Sequence, residues 1–210
     1  MARKILYEEP LRGEEVWSGR LLRVHRDEVR LPDGRTSVRE YIRHPGAVVV
    51  LPLLAGDRLL LERQFRYPLG RDFIELPAGK IDPGEAPLAC AMRELREETG
   101  YTARQWTYVT TVYPCIGYAD ERLVYYLAQE LSYEGHRRDE DEFLEVFTVD
   151  VAIALDWVRT GRICEAKTVA GLFWLEKLLS GHWSPQAEPV GAGGPAAAEG
   201  PVPAGDPQTP

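Results

Sequence analysis

Residues 47–54 read "AVVVLPLL", an apolar run with no polar member. A strand with one face in water alternates polar and apolar residues, so this run suits a strand buried on both faces. Such a strand demands cover above and below it, and a chain of 210 residues is long enough to provide that cover. Other strand candidates surround it. "SGRLLRVHRDEVRL" and "TSVREYIRH" flank the turn signal "PDGR", which predicts β structure over residues 14–45. "GDRLLLERQFRY" follows the apolar run as its expected hairpin partner, and "QWTYVTTVYP" and "RLVYYLAQEL" complete the set.

The spacing predicts three helices. The first covers Leu88 to Thr99, with Pro87 in its first turn and Gly100 at its end. The second follows Asp150 as N-cap, with Val151, Ala154, Leu155 and Val158 on one stripe before Gly161. The third carries Val169, Leu172, Phe173, Glu176 and Leu179 at helical spacing and stops at Gly181. Strands, helix, strands and helices in that order give a mixed α and β class. Residues 184–210 are dominated by Pro, Gly and Ala and hold no Lys, Arg or aromatic residue. They bury too little apolar area to offset their ordering entropy, so a disordered tail is expected. A role as a ligand for a proline-recognising domain has only a weak pattern behind it.

The net charge of −8 argues against general binding to nucleic acid. Any polyanionic substrate then needs local arginines or metal ions. Cys90, Cys115 and Cys164 lie far apart and form no CxxC pair, which fits a reducing cytosol. With no apolar stretch near the length of a membrane span and no signal-peptide pattern at the start, a cytoplasmic location is expected.

The carboxylates of the first helix set a sharper constraint. At about 100° per residue, Leu88, Ala91, Met92 and Leu95 share one face, while Glu94, Glu97 and Glu98 fall on the opposite flank with Arg93 beside Glu97. The apolar face is expected to dock on a sheet and the acidic face to look elsewhere. A solvated acidic face is the plain alternative. Against it, these acids repel one another and crowd the half of the helix where the dipole disfavours negative charge. A bound hard cation such as Mg²⁺ or Mn²⁺ removes both costs.

This segment resembles the signature of the Nudix hydrolases: Gly, five residues, Glu, seven residues, then Arg-Glu-apolar-x-Glu-Glu-x-Gly and an apolar residue. The chain supplies Gly79, Glu85, Arg93, Glu94, Leu95, Glu97, Glu98, Gly100 and Tyr101 at those places. The resemblance implies an α+β fold, an α/β/α sandwich with mixed sheets over residues 46–183. An antiparallel β segment, residues 1–45, precedes it and in dimeric members exchanges between subunits, so a homodimer is expected. It also implies two or more Mg²⁺ or Mn²⁺ ions held by Glu94, Glu97, Glu98 and the carbonyl of Ala78, with Glu85 paired structurally to Arg93.

Other segments, "EYIRHPGAVVVLPLL", "ERQFRYPLGRDFIELPAGKID" and "YPCIGYADERLVYYLA", are similar to the ADP-ribose pyrophosphatase branch. By position in that branch, Glu140 and Glu142 of "RRDEDEFLEV" join Glu97 in the catalytic group, Glu142 also touches metal, and either is a candidate general base. Arg66 is placed to meet a phosphate. Arg39 and Glu40 either contact adenosine across the dimer or form a cross-strand ion pair. Trp17 either stacks on adenine or belongs to a core or interface. The implied activity is Mg²⁺-dependent hydrolysis of ADP-ribose to AMP and ribose 5-phosphate. Ile116-Gly117 stands where the branch often has Pro-Gly, which keeps another nucleoside diphosphate sugar such as GDP-mannose in view. A non-catalytic ADP-ribose sensor is the rival from another class.

Overall fold

A computed structural model of the protein describes residues 6–135 and 143–188. The run at 47–54 forms strand β4 (Ala47–Leu54), and its residues 48–51 are fully buried. Successive side chains of a strand point to opposite faces. Val48 and Val50 accordingly enter one apolar cluster, while Val49, Leu51 and Leu53 enter another. Each such Val or Leu contributes about 1.5–3 kcal/mol by leaving water.

Three strands precede β4: β1 (Glu9–Ser18), β2 (Arg23–Arg30) and β3 (Thr36–Arg43). They form a separate antiparallel sheet in that order. This sheet meets the rest of the chain through Ile42, whose N–H donates to the Tyr118 carbonyl at 2.8 Å, and through the Arg43–Asp120 ion pair at 3.0 Å.

After β4 come β5 (Arg58–Arg66), β6 (Arg71–Glu75) and β7 (Ala78–Lys80), then helix α1 (Pro87–Thr99). The strands β8 (Tyr101–Val112), β9 (Leu123–Tyr133) and β10 (Leu144–Asp150) lead to helices α2 (Val151–Arg159) and α3 (Ala166–Leu179). The strand order is β10-β5-β4-β9-β8, with β6 on β5 and β7 on β4. The β4–β9 pair is parallel and the others are antiparallel. This is the mixed α+β sandwich expected. The cluster holding Val48, Val50, Val124 and Tyr126 packs under Cys90, Ala91 and Leu95 of α1. The cluster holding Leu51, Leu59, Leu61 and Tyr125 packs under Ala154 of α2 and Leu172 and Leu175 of α3.

Two expectations need correction. The β4–β5 hairpin exists only at its tip, where Leu53 and Leu54 face Leu59 and Arg58. Before that, β4 pairs with β9 as far as Pro52↔Ala128. Pro52, with no N–H to give, is the last β4 residue paired with β9, and on the opposite edge β4 pairs first with β7 and then with β5. In α3 the buried residues are Thr168, Gly171, Leu172 and Leu175, while Phe173 and Leu179 are exposed. That helix also begins earlier than the apolar spacing suggested, because Glu165 caps it by accepting from the N–H groups of Lys167 and Thr168.

The described part of the predicted tail runs beside β8 and β9. Gln186 donates its N–H to the Val109 carbonyl at 3.1 Å, and Tyr126 donates to the Glu188 carboxylate at 2.6 Å. The cysteines are unbridged. Among the described residues, no helix is long and apolar enough to cross a membrane.

Candidate active site

Strand β7 pairs with β4 through Val49↔Ala78 and Val48↔Gly79, so the start of the acidic segment is fixed to the most buried strand. The chain then turns through residues 81–86. Glu85 closes this loop, its N–H donating to the Asp82 carbonyl at 3.0 Å and its carboxylate accepting from the Asp82 N–H at 3.1 Å. Helix α1 follows with Pro87 in its first turn. It ends at Gly100, whose φ of 76° is the left-handed conformation that glycine adopts without strain.

The orientation of α1 differs from expectation. Leu88 and Met92 are 36% and 46% exposed, whereas Cys90, Ala91, Leu95, Glu98 and Thr99 are buried. The helix is rolled so that two of its acids turn inward. Glu98 is 3% exposed and accepts from the Ala78 N–H at 3.1 Å. The Glu94 carboxylate fills the space over Gly79, where a Cβ would lie 1.8 Å from its Cδ atom. Simple amphipathicity misses this because it treats every carboxylate as water-seeking; here polar partners on β7 and Arg93 hold them.

Arg93 organises the rest. Its Nε and Nη2 donate to Glu85 at 2.9 and 2.9 Å, and its Nη1 donates to Glu94 at 2.8 Å and Glu97 at 3.0 Å. The Glu85–Arg93 pairing is as expected. The Arg93 hydrogen bonds, opposed by partial desolvation, hold the Glu85 carboxyl down at about 2. The same bond to Glu85, ahead of the Glu94 and Glu97 contributions, pushes the Arg93 guanidinium above its ordinary value.

Arg66, at the end of β5, makes a bidentate pair with Glu75, both bonds 2.7 Å long. This bond is the main cause that raises the Arg66 guanidinium, and the charges of Glu62 and Glu98 add to it. Glu62 and Glu75 face each other across β5 and β6, each 1% exposed. Sequence reasoning passed over both, although an acid inside "LLLER" and another inside "DFIELP" were signals. Lys167 and Glu165, at the start of α3, complete this cluster: Lys167 Nζ contacts Glu75 and lies 3.1 Å from Glu165.

Arg39 and Glu40 lie on β3, outside this assembly. They do not pair with each other. Arg39 donates to Glu8 at 2.8 Å and Arg26 donates to Glu40 at 3.0 Å. Trp17 is 54% exposed, with its ring laid over Gly19. Glu140 and Glu142 lie outside the described residues. Beside the 81–86 loop is a cavity of about 420 Å³ whose walls carry both bases, such as Arg20, Arg23 and Lys80, and acids, Asp82, Glu85 and Asp120.

The donors at α1 fit a hard divalent cation: they are the carboxylates of Glu94, Glu97 and Glu98 and the backbone of Ala78, all oxygen-bearing groups. Glu94 and Glu97 already turn toward one positive centre, the Nη1 of Arg93. Among the described residues, no three acidic, His or Cys side chains surround a single point as a finished cage.

Known proteins resemble this chain along most of its length. The family model for the NUDIX domain matches residues 43–167. The chain is 42% identical to an ADP-ribose pyrophosphatase of Bacillus subtilis (strain 168), over 82% of this chain and 95% of that one. It is 37% identical to a methanol dehydrogenase activator of Bacillus methanolicus, again over 82% and 95% of the two chains. Its fold is similar to a crystal structure of an ADP compounds hydrolase, with a TM-score of 0.78 and 27% identity over 86% of this chain and 98% of that chain.

Proposed function

The chain belongs to the Nudix family, and on that premise we propose that it hydrolyses the pyrophosphate bond of ADP-ribose to AMP and ribose 5-phosphate with Mg²⁺. One observation carries the reading: Glu94 and Glu98 are folded inward against Gly79 and Ala78, Glu94 held by Arg93 and Glu98 within the field of Arg66, rather than released to solvent. The near full-length similarity to an ADP-ribose pyrophosphatase supports the choice of substrate.

Glu94, Glu97, Glu98 and the Ala78 carbonyl would hold the cations. When bound, the cations neutralise the diphosphate and lower the pKa of the attacking water. The remaining work falls to the chain's own groups. Arg93 and Glu85 fix the roll of α1 and so the aim of its acids. Arg66 offers a fixed positive charge to a phosphate oxygen. Glu140 or Glu142 takes the proton of the attacking water as general base. The cavity beside the 81–86 loop takes the nucleoside end of the substrate.

We also infer a homodimer built on the N-terminal sheet. Three strands alone are at the lower limit of independent stability, and this sheet leaves Val16, Trp17, Leu22 and Val38 exposed. Arg39 and Glu40 would reach the second copy's site after exchanging their present partners.

The test is a panel of ADP-ribose, GDP-mannose and dinucleoside diphosphates, assayed with Mg²⁺ and with a chelator. Metal-dependent release of AMP from ADP-ribose, faster than cleavage of the others, is expected. Preference for GDP-mannose would reassign the substrate, a breadth that Ile116-Gly117 allows. Tight ADP-ribose binding without turnover would make the protein a sensor.

A further inference from the structure

Helix α3 belongs to no part of the acidic signature, yet its first turn reaches the same site. Glu165 caps the helix and receives the Thr168 hydroxyl at 2.9 Å. Thr168 is fully buried, and its hydroxyl accepts from the Leu76 N–H at 2.9 Å, two residues ahead of Ala78. Tyr125 of β9 donates to the Lys167 carbonyl at 2.9 Å. These bonds fix where the Lys167 side chain starts. That side chain is 12% exposed, and its ammonium bridges Glu165 and Glu75.

Charges near Arg66 explain why a lysine is useful there. Glu75 claims both of its forward donors, and Glu62 and Glu98 lie in its field. An arginine surrounded by acids alone has little attraction left for a phosphate. Arg66 is nevertheless 41% exposed, so its guanidinium is reachable from solvent. A second cation on Glu75 returns part of that attraction.

We propose that Lys167 is a positioning residue for substrate binding: by sharing Glu75 with Arg66, it leaves the Arg66 guanidinium available to a phosphate of the nucleoside diphosphate. This rests on the activity proposed above, since it presumes a diphosphate beside Arg66. Lys167 itself touches no substrate. Its effect therefore belongs in substrate affinity, passes through Glu75, and depends on charge rather than on shape.

The test compares Lys167→Met, Lys167→Arg, Glu75→Gln and the Glu75→Gln/Lys167→Met double variant in the full-length protein. KM and kcat for ADP-ribose are measured, together with the affinity for magnesium pyrophosphate by calorimetry. Weakening one charge-assisted phosphate contact should raise KM and the pyrophosphate Kd of Lys167→Met about tenfold, with kcat changed far less. Lys167→Arg should be impaired far less than Lys167→Met, since it keeps the charge although its planar fork is bulkier. In the Glu75→Gln background, the Lys167→Met change should have no effect, because the shared partner is gone. A lysine that merely held the fold would lower Tm and leave KM alone.

Unchanged affinity in folded Lys167→Met would overturn the proposal. So would equal losses in both backgrounds, or a Lys167→Arg variant as impaired as Lys167→Met. If Lys167→Met does not fold, Lys167→Gln replaces it, alone and with Glu75→Gln, and the same loss confined to the Glu75 background is required. Pyrophosphate binding requires no turnover, so an inactive wild type would refute the proposed activity while leaving this comparison readable.

Discussion

Gly79→Ala separates catalysis from stability at one atom. An added methyl would sit 1.8 Å from Cδ of Glu94 and 1.9 Å from its Oε1. Ordinary contact begins at 3.4 Å, so the carboxylate must retreat by about 1.6 Å. Misplacing a reacting or binding group by about 1 Å can cost roughly 100-fold in rate. We therefore expect kcat/KM for ADP-ribose to fall by about 100-fold or more. The fold should tolerate the change. The clash is with the far end of a flexible side chain, and Gly79 does not occupy a left-handed conformation. Losing a glycine also restricts the unfolded chain, which is worth about 0.4–1 kcal/mol in favour of the native state. Chromatographic quantification of AMP gives the rate, and calorimetry gives Tm and Mg²⁺ affinity. Near wild-type turnover in Gly79→Ala would refute the placement of Glu94 at the reacting centre.

Three further expectations follow from the same geometry. Glu98→Gln keeps an oxygen to accept from the Ala78 N–H but loses its charge, so turnover should drop by at least about 100-fold with Tm nearly constant; unimpaired hydrolysis would remove Glu98 from the metal site. Glu85 should register as a pH-dependent stabiliser: its folded pKa of about 2 lies below the ordinary 4.5, so its contribution is full above 4.5 and drains away as pH falls toward 2. The Tm gap between wild type and Glu85→Gln, followed by thermal melts, should narrow over that interval; a gap that widens on acidification would contradict the pairing with Arg93. Gly171→Ala would place a methyl 2.5 Å from Leu76 Cδ1 and 3.0 Å from Leu51 Cδ2, both side chains fully buried. Overpacking of about 1–3 kcal/mol should outweigh the helix-propensity gain of up to about 1 kcal/mol, and a melt should show a Tm lowered by a few degrees.

Local signals in the sequence were reliable wherever one segment carries its own reason to adopt a structure. The apolar run at 47–54 became the doubly buried strand, and Pro87 and Gly100 bracket α1 as their backbone preferences dictate. The spacing of Glu85, Arg93, Glu94, Glu97 and Glu98 anticipated a cluster, and Arg93 donates to three of them, Glu85, Glu94 and Glu97. What escaped depends on segments far apart in the chain. The roll of α1 depends on Gly79 and Ala78 as well as on Arg93 and Glu85, and the part played by β7 shows only once that strand is placed. The change of partner along one edge of β4, from β7 at Ala47–Val49 to β5 at Leu53 and Leu54, is invisible in β4 itself. Glu75 and Lys167 are 92 residues apart, and no periodicity joins them.

The parallel pairing of β4 with β9 has a consequence for synthesis. Helix α1 is complete once Thr99 has left the ribosome, but the strand that lines its floor ends at Tyr133. At roughly 5–20 residues per second, the nascent helix waits roughly 2–7 s with its apolar face, Cys90, Ala91 and Leu95, lacking the β9 side chains that will pack against it. Translation speed between those two points thus sets how long an uncovered apolar strand must avoid the wrong neighbour.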